Sequence, residues 1–123
     1  MPTIIRAFPV IVGKDEFLKF IEELTHKRAS AVDAFYKRFG VSREVVFWQD
    51  TPHGAQIMVF TEVEDLTEIP EVYARADEPF ESWFKQEILR LTGVDLNQMP
   101  LGLPSEKVFE WADQSYQPDE PGR

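Results

Sequence analysis

The apolar residues of this 123-residue chain follow a fixed order of spacings, and that order limits its folds more than any single motif does. Alternation comes first, then a period of three to four, then two alternating runs, another helical period and a last alternating run. The order predicts strand, helix, strand, strand, helix, strand. The second and third strands are apolar on both faces, as in Val45-Val46-Phe47-Trp48 and Ile57-Met58-Val59-Phe60. Two helices cover only one face of a four-stranded sheet, so something else must cover the other. In so short a chain the expected cover is a second copy, giving a homodimer with a small interior space.

Strand one is expected over Thr3–Val10, with Ile4, Arg6, Phe8 and Val10 on one face and Ile5 and Ala7 on the other. Gly13 opens a helix with Asp15 and Glu16 in its first turn, which runs to about Phe39 and stops at Gly40. A helix of this length predicts a kink at Ala29-Ser30-Ala31. Arg43–Asp50 and Ala55–Glu62 form the central strands, joined through Thr51-Pro52-His53-Gly54. A helical stretch begins near Asp65-Leu66-Thr67, with Pro70 in its first turn, and breaks at Asp77-Glu78-Pro79. A fresh helix then spans Pro79 to Thr92, with Phe80, Phe84, Ile88 and Leu91 in one stripe and Gly93 at its end. Val94–Ser105 reads as a crossing loop and Val108–Asp113 as the fourth strand. One domain of residues 1–113 results, followed by a flexible tail over 114–123. The fold class is α+β: a ferredoxin-like βαββαβ chain, with a four-stranded antiparallel sheet and two main helices on one face.

Composition excludes several functions. There is no cysteine, which rules out disulfides, thiolate chemistry and cysteine-ligated metal, and fits a cytoplasmic protein. The net charge of −9 opposes nucleic acid and anionic membranes as partners. Residues 1–43 carry +3 and residues 44–123 carry −12, a division suited to opposite-sign elements that face each other. Arg6 and Pro9 interrupt the first apolar run, so it reads as a strand and not as a signal peptide. No apolar stretch approaches the roughly 20 residues of a membrane-spanning helix.

The stretch Pro79-Phe80-Glu81-Ser82-Trp83-Phe84-Lys85, followed by Leu91-Thr92-Gly93-Val94-Asp95-Leu96 and Pro100-Leu101-Gly102-Leu103-Pro104, resembles a bacterial family of the dimeric α+β barrel superfamily. The similarity of pattern covers about Thr3 to Asp113. It implies two ferredoxin-like protomers packed sheet against sheet, and it assigns no activity, because that family has none assigned. Superfamily members with known chemistry include cofactor-free monooxygenases, haem-degrading monooxygenases and muconolactone isomerases. The haem-degrading set of Asn, Trp and His is not matched, since Ile4-Ile5-Arg6-Ala7-Phe8 offers no Asn and His26 lies on the wrong helix face. Kinship at the level of fold is only analogy for chemistry.

Six residues stand out as ligand-pocket candidates: Arg28, Arg6, Tyr36, Trp48, Glu62 and Glu110. On a continuous helix Arg28 falls inside the stripe of Phe17, Ile21, Leu24, Val32 and Phe35. A buried guanidinium keeps its charge and needs a partner. That partner is either a structural carboxylate or an anionic ligand held between helix and sheet. Arg6 and Glu110 interrupt apolar strand faces, and one central-strand acid joins them: Glu62 if Met58 and Phe60 point inward, Asp50 if Trp48 does. Tyr36 is placed to offer a hydroxyl inward, and Trp48 to line a pocket or pack in the core. His26 and His53 lack the close ligand spacing that metal needs, so neither metal nor cofactor is expected. Two classes of function follow. One is a non-enzymatic dimeric module. The other is a cofactor-free monooxygenase- or isomerase-like enzyme, or a binder of a small apolar or aromatic acid, with a base such as Glu62.

Overall fold

The computed structural model describes residues 3–64, 78–98 and 105–117. It is an α+β fold with three helices on one side of a three-stranded antiparallel sheet. The elements are β1 (Thr3–Pro9), α1 (Lys14–Thr25), α2 (Ala29–Arg38), β2 (Val41–Thr51), β3 (Gly54–Val63) and α3 (Pro79–Thr92). The strand order is β1-β3-β2, with β3 in the centre.

The hairpin of β2 and β3 is set by its turn. Thr51 pairs with Gly54 around Pro52-His53, and the Thr51 hydroxyl donates to the Gly54 carbonyl at 2.6 Å. Gly54 has φ +118°, a conformation open to glycine at little cost. From that turn the register runs Phe47 opposite Met58, Val45 opposite Phe60 and Arg43 opposite Glu62, before Ser42 bulges out. On the far side Ile5 faces Phe60 and Ala7 faces Met58.

Alternation along these strands gives the sheet two unlike faces. Ile4 and Phe8 of β1, with Ile57 and Val63 of β3, are buried beneath the helices. Their core partners are Phe17 and Phe20 from α1, Phe35 from α2 and Ile88 and Leu91 from α3. Aromatic rings hold this layer together, with Phe35 5.3 Å from Phe80 and 5.4 Å from Phe84, at angles that suit ring quadrupoles. The opposite face carries Ile5, Ala7, Val45, Phe47, Met58 and Phe60, and no described element covers it. Ile5 is 51% exposed and Phe47 54%.

α3 has the bounds expected for it. Glu78 and Glu81 form a reciprocal capping box, Pro79 takes the first helical position, and Gly93 ends the helix at φ +77°. Glu81 is almost wholly buried and accepts from Arg38 at 2.5 Å, which ties α3 to α2.

Two expectations change. The helix over 13–39 is two helices, and the break lies at His26–Arg28, ahead of the expected kink. At the break the Thr25 hydroxyl donates to the Ile21 carbonyl, and the Arg28 amide reaches back to Glu23. Side-chain bonding to helix carbonyls of this kind competes with continuation. The fourth strand over Val108–Asp113 is not formed. Residues 105–113 carry no regular structure and join no strand, and all of them are exposed. Their alternation suits a strand, but a strand exists only where an edge accepts it. The helical stretch expected from Asp65 and half of the Val94–Ser105 loop lie outside the described residues. So does the tail beyond Gln117. Among the described residues, no helix is long and apolar enough to cross a membrane.

Candidate functional site

A cavity of about 140 Å³ lies between the sheet and the helices. A cavity of this volume accommodates one small ring; one of about 150 Å³ lined by aliphatic and aromatic groups takes benzene. Most of its wall is apolar, including Phe20, Phe35, Phe84 and Val59. Four polar side chains also line it: Arg6, Tyr36, Glu44 and Thr61.

These four arrive there through strand parity and one helix position. Ile4, Thr61 and Glu44 form one row across the sheet, and Arg6, Val59 and Val46 form the next. Two strand spacings and a two-residue offset therefore separate the backbones of Arg6 and Glu44 by about 12 Å. Tyr36 descends from α2, beside the core residue Phe35, with ring centroids 5.3 Å apart.

Glu44 is the centre of the polar cluster. The Tyr36 hydroxyl donates to its Oε2, and the Thr61 hydroxyl donates to its Oε1 at 2.8 Å. Burial pushes the Glu44 carboxyl above the usual carboxylate range, and these two hydrogen bonds offset only part of that rise. Across the cavity, Arg6 donates from Nη1 to the Ile5 carbonyl at 3.0 Å. Burial lowers its proton affinity, yet a guanidinium stays cationic. The lining thus offers a carboxyl with a phenol and an alcohol, and, two strands away on the same sheet face, a guanidinium cation. Such a pair can accept a hydrogen bond from a ligand hydroxyl, exchange a proton with it, or neutralise an acid.

The six sequence candidates part company here. Arg6 and Tyr36 line the cavity, whereas Arg28, Trp48, Glu62 and Glu110 do not. Arg28 caps α2, donates from Nε to Glu23 at 2.6 Å and lies 3.8 Å over the Trp83 ring. The helix break turns it out of the apolar stripe and onto α3. Of the two partners considered for it, the structural carboxylate is the one it has. Trp48 packs against Phe17 at 5.5 Å and donates to Asp50 at 3.0 Å. Glu62 follows Met58 and Phe60 onto the uncovered face, where it lies 3.7 Å from Arg43. Glu110 is exposed and pairs with Lys107 at 2.7 Å.

Glu44 was missed. The signal for it was present, because Trp48 facing the helices places Val46 and Glu44 on the same side two and four residues earlier. Following the alternation only forward, to Asp50, overlooks it. Comparison of the chain with family models, curated proteins and solved structures finds no match.

Proposed function

We propose that this chain binds a small, mainly apolar or aromatic molecule with one polar substituent, in the cavity between sheet and helices. The supporting observation is the Glu44–Tyr36–Thr61 cluster set into an otherwise apolar wall. A solidly packed module has no use for a carboxyl at that position, since burying it costs free energy. Arg6 on β1 suits an acid and Glu44 on β2 suits a hydroxyl, so benzoate and phenol are the two informative probes.

The test is a thermal shift with toluene, phenol and benzoate, each at millimolar concentration. A ligand at ten times its Kd adds about 1.4 kcal/mol, which in a domain of this size is a rise in Tm of about 5 °C. If none of the three moves the Tm, and native mass spectrometry finds only the bare chain, the binding reading fails.

The elevated Glu44 carboxyl favours a second reading, a cofactor-free enzyme in which Glu44 takes a proton from the bound molecule. Both readings include a homodimer formed through the bare sheet face. Two apolar rows, Ile5-Phe60-Val45 and Ala7-Met58-Phe47, lie there between the Thr3-Glu62-Arg43 and Pro9-Gln56-Gln49 rows. An apolar centre inside a polar rim is the anatomy of a protein interface. Light scattering on the eluting protein tests it, and a monomer at micromolar concentration overturns it.

A further inference from the structure

Beyond the end of α3, the described segment 105–117 is exposed throughout. It is tied to the body where the Ser105 hydroxyl donates to the Ile5 carbonyl of β1. Val108 is 87% exposed, Phe109 82% and Trp111 76%. Three large apolar side chains within four residues are seldom left in water without a reason.

We infer that residues 105–117 form an exchanged arm, which packs on the outer edge of β1 and the adjoining bare sheet face of a second copy of this chain. The inference rests on the homodimer reading above and adds to it the segment that locks the two copies together.

Three observations favour a second copy as the occupant. Alternation puts Phe109 and Trp111 on one side of an extended arm and Val108 and Glu110 on the other, so the arm can offer aromatics to a face and backbone to an edge. Among the described residues β1 has no strand on its outer side, which leaves a row of backbone groups to be paired. Position is the second observation. Ser105 already lies at Ile5, and β1 begins at Thr3. An arm running antiparallel to its own β1 therefore passes the end of that strand before Phe109 and Trp111 are reached. Its own sheet does not hold them, whereas a copy related by a two-fold axis presents the same edge to each arm. The third is area. Phe109 and Trp111 offer about 400 Å² per arm, and two arms with the surfaces they cover come to about 1,600 Å², the size of a standard stable interface.

Because the chain has no cysteine, a disulfide can report the contact without interference. Full-length Ile5→Cys chains, isotopically labelled, are mixed with unlabelled Trp111→Cys chains, oxidised and weighed. The expected product is a labelled–unlabelled disulfide dimer. The double variant Ile5→Cys/Trp111→Cys gives an interchain link as well; a link within one chain overturns the proposal. Independently, Phe109→Ser/Trp111→Ser should raise the dimer Kd on the order of 100-fold and leave the unfolding of the dilute monomer unchanged. A wild-type-like Kd in that variant, with no mixed cross-link, removes the arm and leaves the sheet-to-sheet dimer standing. A wild-type chain that stays monomeric removes both.

Discussion

The two faces of the sheet are built from the same strands and have opposite fates. Beneath the helices, Phe8, Ile57 and Phe35 are removed from water and packed among aromatic rings. On the other side, Ile5 and Phe47 are half in water, and their neighbours Val45, Met58 and Phe60 are only partly covered. Hydrophobicity alone does not separate these sets. What separates them is that, among the described residues, the helices supply a layer to press against on one side only. The covered face carries the stability of the single chain, and the other is the surface through which the proposed dimer would form.

The sharpest way to break that contrast is a matched pair of aromatic deletions. Phe35→Ala should cost about 3–5 kcal/mol by denaturant titration of the dilute chain. Phe47→Ala should cost less than about 1 kcal/mol under the same conditions. Equal costs would mean that the bare face is already covered in the monomer. Association is the complementary measurement. Phe47→Lys buries a charge in any sheet-to-sheet contact, so light scattering should find a monomer while the Tm of the dilute protein stays close to that of the wild type.

The cavity supplies the next prediction, through pH. Burial raises the Glu44 carboxyl in the folded chain above its unfolded value. The folded state then binds more protons, so the Glu44 contribution is favourable below the unfolded pKa and declines as pH rises through the folded one. Tyr36 and Thr61 face the carboxyl directly, and Arg6 faces it across the cavity. Glu44→Gln should remove the part of the fall in Tm that begins as pH rises past the unfolded carboxyl's range and ends at the raised folded pKa, and an unchanged slope would show that Glu44 is not desolvated. The smallest effect belongs to Arg28→Met. Loss of the Glu23 pair and of the stacking on Trp83, both partly exposed, should cost about 1 kcal/mol, with no change in phenol or benzoate binding. A loss of benzoate binding would return Arg28 to the site.

Much of the framework was legible because local signals agreed with tertiary packing. Glu78-Pro79 and Gly93 mark both ends of α3, and Pro52 and Gly54 mark the hairpin. The failures came where a distant partner decides. Nothing near His26 in the chain announces that Trp83, far along the sequence, will receive Arg28. The run Val108-Phe109-Glu110-Trp111 has the composition of a strand, yet strand formation needs an edge, and no local pattern supplies one. At the site, alternation identified Arg6, but the doubly apolar strands leave their parity open: Met58 and Phe60 inward would bring Glu62, and Trp48 inward would bring Asp50. The structure turns Ile57, Val59 and Thr61 of β3 inward, which leaves Glu62 outside, and the facing row of β2 then brings Glu44 in.

An inversion of parity is also open to the molecule itself. β2 is greasy on either side, so sliding it by one position would exchange Val46 and Trp48 for Val45 and Phe47 beneath the helices, with little hydrophobic penalty. The hairpin corner at Pro52-His53 is what forbids the slide. One residue inserted there would swing the cavity's carboxyl out to the opposite side and bring Arg43 in, reversing the charge of the interior. A corner with no chemistry of its own thus decides which side chains are chemical groups and which are scenery.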